Sequence, residues 1–433
     1  MHALATRQVT ERLDPGIRTR LMDEVDKGFK PHQALAEAGR CLFCHDAPCV
    51  KRCPAGIDIP GFIRRLAQRN FVGAARIIRR SNPLGGVCAR VCPVAGLCEG
   101  GCTSSGLSEP IAIGALQRFA CDQELARGLK ACSVPAAPTG KRVAIVGAGP
   151  AGLAAAGALS AAGHQVTVFD RRGEPGGLML SAIPRYRLPE AIAKAEIDLA
   201  LGGVEFVAGV EVGKSISLQN LVTGYDAVLL APGLGAPERP AIVGSDAAGV
   251  HSAYDFLEDC GHATTYNHSL GRVVVIGGGN VAIDAACVAL RQGAASAVIA
   301  YRRSRDEMPA WDEDVSFAEE EGVEFRFLLS PAEILAHHGR ATAVGFTSMA
   351  LGEPDSTGRR SPMPSGEPDV TIHADTVLMA VGQRPNALLS DAAASLPGVF
   401  VAGDAANGGA TVVQAVSEGM REAANICDYL NAM

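Results

Sequence analysis

The chain has 433 residues, enough for two or three domains around a large buried core. Aromatic residues are 5% of it and glycine contributes 50 residues, a balance that favours α/β domains with tight turns over an all-β sandwich. The net charge of −7 excludes a protein that binds nucleic acid through its overall charge.

No apolar run approaches the roughly 20 residues that a membrane-spanning helix needs, and the amino-terminal stretch shows no signal-peptide pattern. We therefore expect a cytoplasmic protein, with no membrane partner, whose thiols stay reduced. Charge is uneven along the chain: residues 1–135 carry 19 Lys and Arg against 12 Asp and Glu, whereas the remainder carries 20 against 34. This asymmetry indicates either different partners for the two parts or a solvated basic face.

Residues 1–139 are predicted to form a mostly helical domain with cysteines in its loops. In DIPGFIRRLAQRN, Asp58 is a candidate N-cap and Pro60 falls in the first turn. The apolar residues of this stretch follow helical spacing: Ile59, Phe62, Ile63 and Leu66. Residues 111–129 predict another helix, and the Pro-rich stretch 133–141 predicts a linker.

Eight cysteines of this domain stand in two runs, CLFCHDAPCVKRCP at 41–54 and CARVCPVAGLCEGGC at 88–102. Zinc sites usually use paired C-x2-C knuckles, whereas consecutive four-cysteine runs with Cys-Pro pairs are typical of iron–sulfur ligation. We predict two [4Fe–4S] clusters, with zinc, disulfides or free thiols as the alternatives. Counting alone suggests two sites of four thiolates each.

The next segment, RVAIVGAGPAGLAAAGALSAAGHQVTVFD, predicts a strand, a glycine turn, a helix and a second strand. Its turn has the dinucleotide-binding pattern, in which the glycines allow a tight turn, close approach of a pyrophosphate and close helix packing. The candidate residues are Gly147, Ala148, Gly149, Pro150, Ala151 and Gly152. Asp170 ends the second strand, where an acid can bind ribose hydroxyls. A glycine turn in an ordinary α/β domain is the alternative.

Residues 271–303 repeat this plan. The second motif comprises Gly277, Gly278, Gly279, Asn280, Val281 and Ala282. Here the following strand ends in Tyr301-Arg302-Arg303 instead of an acid, and arginines can pair with a 2′-phosphate. This favours NADPH over NADH, unless the arginines merely face solvent.

The segment GVFVAGDAA at 398–406 decides which unit holds the flavin. With the helix that follows, it resembles the second flavin-binding segment of two-dinucleotide-fold flavoproteins. The resemblance implies that Asp404, after Gly403, binds the ribityl chain or phosphate. It also implies that a helix N-terminus faces the flavin ring at Thr411, Val412 and Val413. In that superfamily the first unit binds FAD, and the second, inserted unit binds NADP or NAD.

We therefore predict an α/β fold with two Rossmann-like domains preceded by the helical iron–sulfur domain. The FAD domain would comprise 140–235 and 382–433, and the NAD(P) domain 236–381. The chain would cross between them at 231–235 and at 380–386, which includes Gly382. No CxxC pair occurs after residue 142, so a dithiol route from the flavin is not expected, and three isolated cysteines are predicted to be small core residues: Cys260, Cys287 and Cys427.

The stretches CLFCHDAPCVKRCP, NPLGGVCARVCPVAGLCEGGC and EPIAIGALQRFA together resemble the amino-terminal cluster domain of dihydropyrimidine dehydrogenase. The whole chain resembles the electron-input subunit of the bacterial enzymes of that family, and the small subunit of glutamate synthase has the same plan. The resemblance implies one cluster on Cys41, Cys44, Cys49 and Cys102. It implies a second cluster on Cys53, Cys92, Cys98 and the amide of Gln117, with Cys88 a non-ligand nearby.

The same resemblance implies that EPGGL at 174–178, with Gly176, Gly177 and Leu178, runs along the flavin. Arg187 would approach the isoalloxazine or its phosphate, and Val212 would line the adenine pocket. The stretch YRRSRDEMPAWDED departs from the bacterial subunit and is closer to NADPH-using relatives, which leaves the nicotinamide preference open.

The implied function is oxidation of NAD(P)H through FAD and two [4Fe–4S] clusters. The expected partner is an FMN- and iron–sulfur-containing catalytic subunit that reduces uracil or thymine to the 5,6-dihydropyrimidine. No catalytic residue for the pyrimidine chemistry is expected in this chain. The alternatives are the electron-input subunit of a glutamate synthase and a free-standing electron-transfer module.

Overall fold

The computed structural model describes residues 6–128, 136–262, 269–386 and 396–433. The predicted linker at 133–141 and the end of the predicted helix at 111–129 lie partly outside these ranges. Within the described ranges, no helix combines the length and the apolar character that crossing a bilayer requires.

The described helices are, in chain order, α1 (Pro15–Arg18), α2 (Pro31–Ala38), α3 (Pro48–Lys51), α4 (Ile59–Ala67), α5 (Phe71–Ser81), α6 (Gly85–Val91), α7 (Ile113–Ala126), α8 (Pro150–Ala161), α9 (Leu178–Ser181), α10 (Glu190–Ala200), α11 (Leu218–Gly224), α12 (Ala253–His262), α13 (Asn280–Arg291), α14 (Asp312–Glu320), α15 (Asp404–Asn407) and α16 (Val412–Asn431). The strands are β1 (Arg142–Val146), β2 (Gln165–Phe169), β3 (Glu205–Val207), β4 (Ala227–Leu230), β5 (Val250–Ser252), β6 (Arg272–Ile276), β7 (Ser296–Tyr301), β8 (Glu324–Phe327), β9 (Leu329–His337), β10 (Arg340–Pro354), β11 (Arg360–Pro364), β12 (Val370–His373), β13 (Thr376–Met379) and β14 (Val399–Val401).

Helices α1 to α7 form the amino-terminal region, as the sequence predicts. Asp58 caps α4, since its Oδ1 accepts a hydrogen bond from the Gly61 amide at 2.9 Å. The apolar face of α4 is almost completely buried and joins one core with α2, α5 and α7. This core forms the floor beneath the cysteine-bearing loops.

Two parallel sheets follow, each with the βαβ pattern that the glycine motifs predict. The first has the order β14-β4-β1-β2-β3 and the second has the order β5-β13-β6-β7-β8. Their central strands are continuous apolar runs because both faces are covered. Strand β14 belongs to the first sheet but follows the whole second sheet in sequence, so the second unit is inserted into the first.

The two stretches that connect these units, 231–238 and 380–386, lie side by side. Gly235 donates a backbone hydrogen bond to the Arg384 carbonyl at 2.7 Å, and the Arg384 amide donates to the Ala236 carbonyl at 2.9 Å. An antiparallel group of β9 to β12 covers one face of the second sheet. Its β10–β11 hairpin pairs the end of β10 with β11 in the register Met349 with Pro364 to Pro354 with Arg360.

Candidate functional site

Four cysteines from both runs surround what we call the first cysteine cavity. It has a volume of about 340 Å³, part of it open to solvent, and is lined by Cys41, Cys44, Cys49 and Cys102 together with apolar side chains of α4 and of the segment before α7. The Ile111 amide donates to the Cys102 sulfur at 3.5 Å. The structure thus brings together the four residues predicted to hold one cluster.

The second cysteine cavity, also partly open to solvent, has a volume of about 350 Å³ and lies beside α6. Its polar lining consists of Cys53, Cys88, Cys92, Cys98, Gln117 and Asn82. The Gln117 Nε2 donates to the Gly85 carbonyl at 2.7 Å, which leaves Oε1 as the amide atom able to reach toward the cavity. The three thiols and the amide predicted for the other cluster therefore share one cavity, and so does Cys88.

The described residues contain no group of three Cys, His, Asp or Glu side chains that converge on one metal ion. The thiols stand around the two cavities instead, as the ligands of a cluster do when each binds a different iron. Burial raises the pKa of Cys53, and burial with the neighbouring Cys102 and Cys41 raises that of Cys49 to about 11. Thiols this weakly acidic release protons when they bind iron, so metal uptake is coupled to proton loss.

The glycine turn of the first dinucleotide unit lies between β1 and α8. A Cβ at Gly152 would lie 1.9 Å from the Gly147 carbonyl oxygen, so only glycine permits this approach of helix and strand. A Cβ at Gly149 would meet open space, which leaves the N-terminus of α8 accessible from outside. This is a cradle into which a pyrophosphate fits.

Two further segments complete this cradle. The Asp170 carboxylate accepts hydrogen bonds from the Ala148 amide and the Arg172 amide, at 2.7 and 2.8 Å. These bonds connect Asp170 to the glycine turn and hold the loop after β2 in place. The EPGGL segment packs on the turn, because a Cβ at Gly177 would lie 2.9 Å from the Gly149 Cα. The Gly176 amide donates to the Ala148 carbonyl at 2.8 Å, and Leu178 begins α9.

The carboxyl-terminal flavin segment meets the same turn. The Gly403 amide donates to the Glu418 carboxylate at 2.8 Å, and Asp404 accepts from the Ala410 amide at 3.2 Å. Burial raises the pKa of Asp404 above its ordinary range. Thr411 caps α16 through a capping box with Gln414, so the N-terminus of that helix is firmly placed. Val412 begins α16, and Val413 lines the second cysteine cavity.

Arg187 contacts the second dinucleotide unit, and Val212 shares a core cluster with Val146, the residue before the glycine turn. Arg187 donates to Asp284 of α13 at 2.6 Å and to Asp314 of α14 at 2.7 Å, and its Nη2 is buried without a partner among the described residues. Arg187 therefore ties the two dinucleotide units together while one nitrogen stays available. Val212 is buried in the core behind β1 and β4, beside Phe169.

The second motif is shaped like the first. Asn280 begins α13, and its Oδ1 accepts from the Trp311 amide at 3.1 Å. Gly278 lies against the Tyr301 ring, Gly277 beneath the end of β13, and Val281 is half-buried in the core. The two arginines differ: Arg302 is exposed, whereas the buried Arg303 donates to Asp355 at 2.6 Å and to the Arg360 carbonyl at 2.8 Å. Gly382 lies on the connecting stretch 380–386, where it is exposed.

A wide cleft lies beside the second cysteine cavity. It encloses about 1030 Å³, open to solvent, and its lining includes Cys92 of the second cysteine cavity, Arg187 and Trp311. Residues 10–26 of the amino-terminal arm close one side of the cleft. No role is predicted from the sequence for this arm or for Asn82, although Asn82 begins the stretch NPLGGVCARVCPVAGLCEGGC.

Two family models match the chain. Residues 18–129 match the model described as dihydropyrimidine dehydrogenase domain II, 4Fe-4S cluster, and residues 141–419 match the pyridine nucleotide-disulphide oxidoreductase model. Among solved structures, FprA of Mycobacterium tuberculosis has a TM-score of 0.57 at 22% identity, over 67% of this chain and 85% of that one. Thioredoxin reductase of T. acidophilum has a TM-score of 0.51 at 19% identity, over 67% of this chain and 99% of that one. These likenesses support the fold.

The curated relatives are more similar. The chain is 34% identical to the NADPH glutamate synthase small chain of Halomonas elongata, over 98% of this chain and 97% of that one. It is 38% identical to the NAD-dependent dihydropyrimidine dehydrogenase subunit PreT of Escherichia coli O157:H7, over 94% and 97%. It is 37% identical to the NADP(+)-dependent formate dehydrogenase subunit beta of Moorella thermoacetica, over 89% of this chain but only 60% of that one.

The names of these relatives refer to different enzymes, and this chain matches a 4Fe–4S domain model and a pyridine nucleotide-disulphide oxidoreductase model in succession. The chain therefore belongs to the pyridine nucleotide-disulphide oxidoreductase family, in the branch of NAD(P)H-driven electron-transfer proteins that carry the 4Fe–4S domain of dihydropyrimidine dehydrogenase in front.

Proposed function

We propose that this chain oxidises NAD(P)H and delivers single electrons to an FMN- and iron–sulfur-containing partner that reduces uracil and thymine to 5,6-dihydropyrimidines. The observation that carries the proposal is the cleft lined by Cys92, Arg187 and Trp311. It connects a predicted cluster ligand, a predicted flavin contact and the loop beside the second dinucleotide motif. A nicotinamide, a flavin and a cluster held by these residues would meet within one space.

The residues present fit the groups that the proposal requires. The glycine turn before α8 has an open cradle, and the N-terminus of α16 faces the same region, so these two helices would hold FAD. When bound, FAD takes a hydride from the nicotinamide as an electron pair and the clusters carry the two electrons away singly. Cys41, Cys44, Cys49 and Cys102 would hold one cluster. Cys53, Cys92, Cys98 and Gln117 would hold the other.

Helix α16 brings the flavin unit and the second cysteine cavity together. Its first turn belongs to the proposed flavin site, and Val413 in that turn lines the cavity. Ser417, one turn later, is hydrogen-bonded to the loop after Cys53. We therefore propose that electrons leaving the flavin first reduce the cluster in the second cysteine cavity.

The proposed nicotinamide site lies at the N-terminus of α13. Arg302 is exposed beside it and is the residue we assign to a 2′-phosphate, since Arg303 is engaged with Asp355. This assignment supports NADPH over NADH. We also propose domain boundaries at 139, 235 and 381 and a cytoplasmic location.

The choice of partner is supported by the likeness to the dihydropyrimidine dehydrogenase subunit. A second candidate is the electron-input subunit of a glutamate synthase, which the comparable coverage of that small chain favours. Both share the proposed route from nicotinamide to cluster, and they differ only in the protein that docks.

The decisive experiment measures NADPH- and NADH-dependent uracil reduction by the anaerobically purified chain, with and without a candidate FMN partner. Uracil reduction only in the presence of the partner, by protein that contains iron and acid-labile sulfide, supports the proposal. Glutamine-dependent glutamate formation with a glutamate synthase large chain would move the assignment to the second candidate. Protein with zinc or no metal would overturn both.

A further inference from the structure

Asn82 occupies an unusual position between α5 and α6. Its side chain lines the second cysteine cavity, and the residue has no exposed surface. Its backbone amide donates to the Ile78 carbonyl at 2.9 Å, and its Oδ1 accepts from the Leu84 amide at 3.0 Å. The first bond holds the backbone and the second orients the side chain, but its Nδ2 is buried without a hydrogen-bond partner among the described residues.

Buried N–H groups are almost always paired, so the free Nδ2 of Asn82 calls for an acceptor. The Gln117 side chain lines the same cavity, but its Nε2 is itself a donor and cannot accept a hydrogen bond from Asn82. The Gln117 Oε1 could accept, but it is the atom assigned to the cluster, and the other polar side chains of the lining are the thiols of Cys53, Cys88, Cys92 and Cys98. The acceptor that this cavity supplies is therefore sulfur.

We propose that Asn82 donates an N–H···S hydrogen bond from Nδ2 to a sulfur of the iron–sulfur cluster in the second cysteine cavity, and so raises the reduction potential of that cluster. The inference rests on the proposed function, in which this cavity holds a cluster. Hydrogen bonds to the sulfurs are one of the quantities that set cluster potentials, because they stabilise the added negative charge of the reduced state. Asn82 is thus a positioning and tuning residue on the side of the cavity nearest α6.

The test compares two variants that lack the donor in different ways. Asn82→Asp keeps an oxygen for the Leu84 amide but adds charge, whereas Asn82→Leu keeps the volume and neutrality but loses that bond. In an anaerobic redox titration followed by EPR, we expect the midpoint reduction potential of one cluster to fall in both variants. At the wild-type midpoint the ratio of reduced to oxidised cluster should drop about tenfold, which is ~59 mV for one electron.

Asn70→Asp is the matched control. Asn70 caps α5 with its Oδ1 on the Gly73 amide at 2.8 Å, is exposed, and lines neither cavity. Both midpoints should stay at their wild-type values in this variant, as should the midpoint of the first cluster in the Asn82 variants.

A measurement on the unmodified protein does not depend on how the variants fold. Pulsed EPR of reduced protein labelled with 15N-asparagine should show a nitrogen coupling to one cluster, and Asn82→Leu should lack it. No 15N coupling, or unchanged midpoints in both Asn82 variants with both clusters present, would overturn the inference and leave the proposed function intact. Wild-type protein without iron and sulfide would overturn the proposed function itself.

Discussion

Ser417 donates a hydrogen bond from Oγ to the carbonyl oxygen of Pro54 across 2.7 Å, and this bond joins α16 to the loop that follows Cys53. Pro54 and Val413 line the second cysteine cavity together. The helix that begins the proposed flavin site is therefore fastened to the loop that carries a proposed cluster ligand.

Ser417→Ala should loosen this connection. Loss of one hydrogen bond costs about 1 kcal/mol, so we expect a lower thermal midpoint and slower reduction of the clusters. In stopped-flow experiments with NADPH, the flavin should bleach at the wild-type rate while the cluster absorbance changes more slowly. Asn425→Ala on the same helix, which removes only a surface contact to Glu422, is the control. Cluster reduction at the wild-type rate in Ser417→Ala would contradict the role given to this bond.

Cys88 and Gln117 are rivals for one ligand position, since both line the second cysteine cavity with three other cysteines. The family resemblance assigns the amide. We therefore expect Cys88→Ser to keep the iron and sulfide of two clusters, and Gln117→Leu and Cys92→Ser to lose up to about half of each. Iron and acid-labile sulfide assays on anaerobically purified protein show whether Gln117 or Cys88 is the ligand. If Cys88→Ser lost a cluster and Gln117→Leu kept both, Cys88 would be the ligand.

Local signals in the sequence predict much of this structure. Helix α4 begins after Asp58, and α8 and α13 begin directly after their glycine turns, because a cap or a glycine motif acts over a few residues. The grouping of the cysteines into two interleaved sets came from family resemblance, since spacing alone suggests two consecutive sites. The structure brings each of these sets to one cavity.

Local sequence signals do not predict contacts between segments that are distant in the chain. Arg303 stands beside Arg302 in the sequence, but the side chain turns to Asp355 on a hairpin whose position depends on the whole second unit. The pairing of Arg187 with Asp284, 97 residues later, likewise depends on how the two units pack. Hydrophobic periodicity indicates which residues are buried, and it does not indicate which charges meet.

The two arginines should respond differently to substitution. Arg302→Ala should raise the KM for NADPH tenfold or more, since a charge-assisted hydrogen bond to phosphate contributes roughly 1.5–3 kcal/mol, and leave the KM for NADH almost unchanged. Arg303→Ala should instead lower the thermal midpoint, because it removes the bonds to Asp355 and the Arg360 carbonyl. Ferricyanide reduction with each nucleotide measures the two KM values, and thermal denaturation measures the midpoint of Arg303→Ala. Equal changes in the two KM values for Arg302→Ala would refute the assignment to the 2′-phosphate.

His164 gives the fold a dependence on pH. Its Nδ1 lies 2.8 Å from the Thr139 Oγ1, and burial lowers the pKa of the ring below its ordinary 6.5. As pH falls through 6.5 the unfolded chain binds a proton that the folded chain does not, so the free energy of unfolding decreases until the folded pKa is reached. Between pH 7.5 and 5.5 the thermal midpoint should therefore fall less in His164→Asn than in the wild type. His32→Asn, at an exposed position, is the control. If the thermal midpoint changed equally with pH in His164→Asn and in the wild type, His164 would not contribute to the pH dependence of stability.

Arg18 fastens the amino-terminal arm to the second dinucleotide unit. Its side chain is only 2% exposed, donates to Glu321 at 2.9 Å and to Glu320 at 2.7 Å, and lies over the Phe317 ring. Arg18→Ala should destabilise the protein by roughly 3 kcal/mol, the low end for a broken buried pair, because Arg291 also pairs with Glu321.

The arm closes one side of the cleft that connects the proposed sites, so its release has a second expected effect. In Arg18→Ala, limited proteolysis should cut within residues 10–26 at a rate well above that of the wild type. Arg326→Ala, which removes an exposed pair with Glu324, should change stability by less than about 1 kcal/mol and leave the arm protected. If Arg18→Ala and Arg326→Ala melted and were cleaved alike, the arm would not be held by its buried arginine.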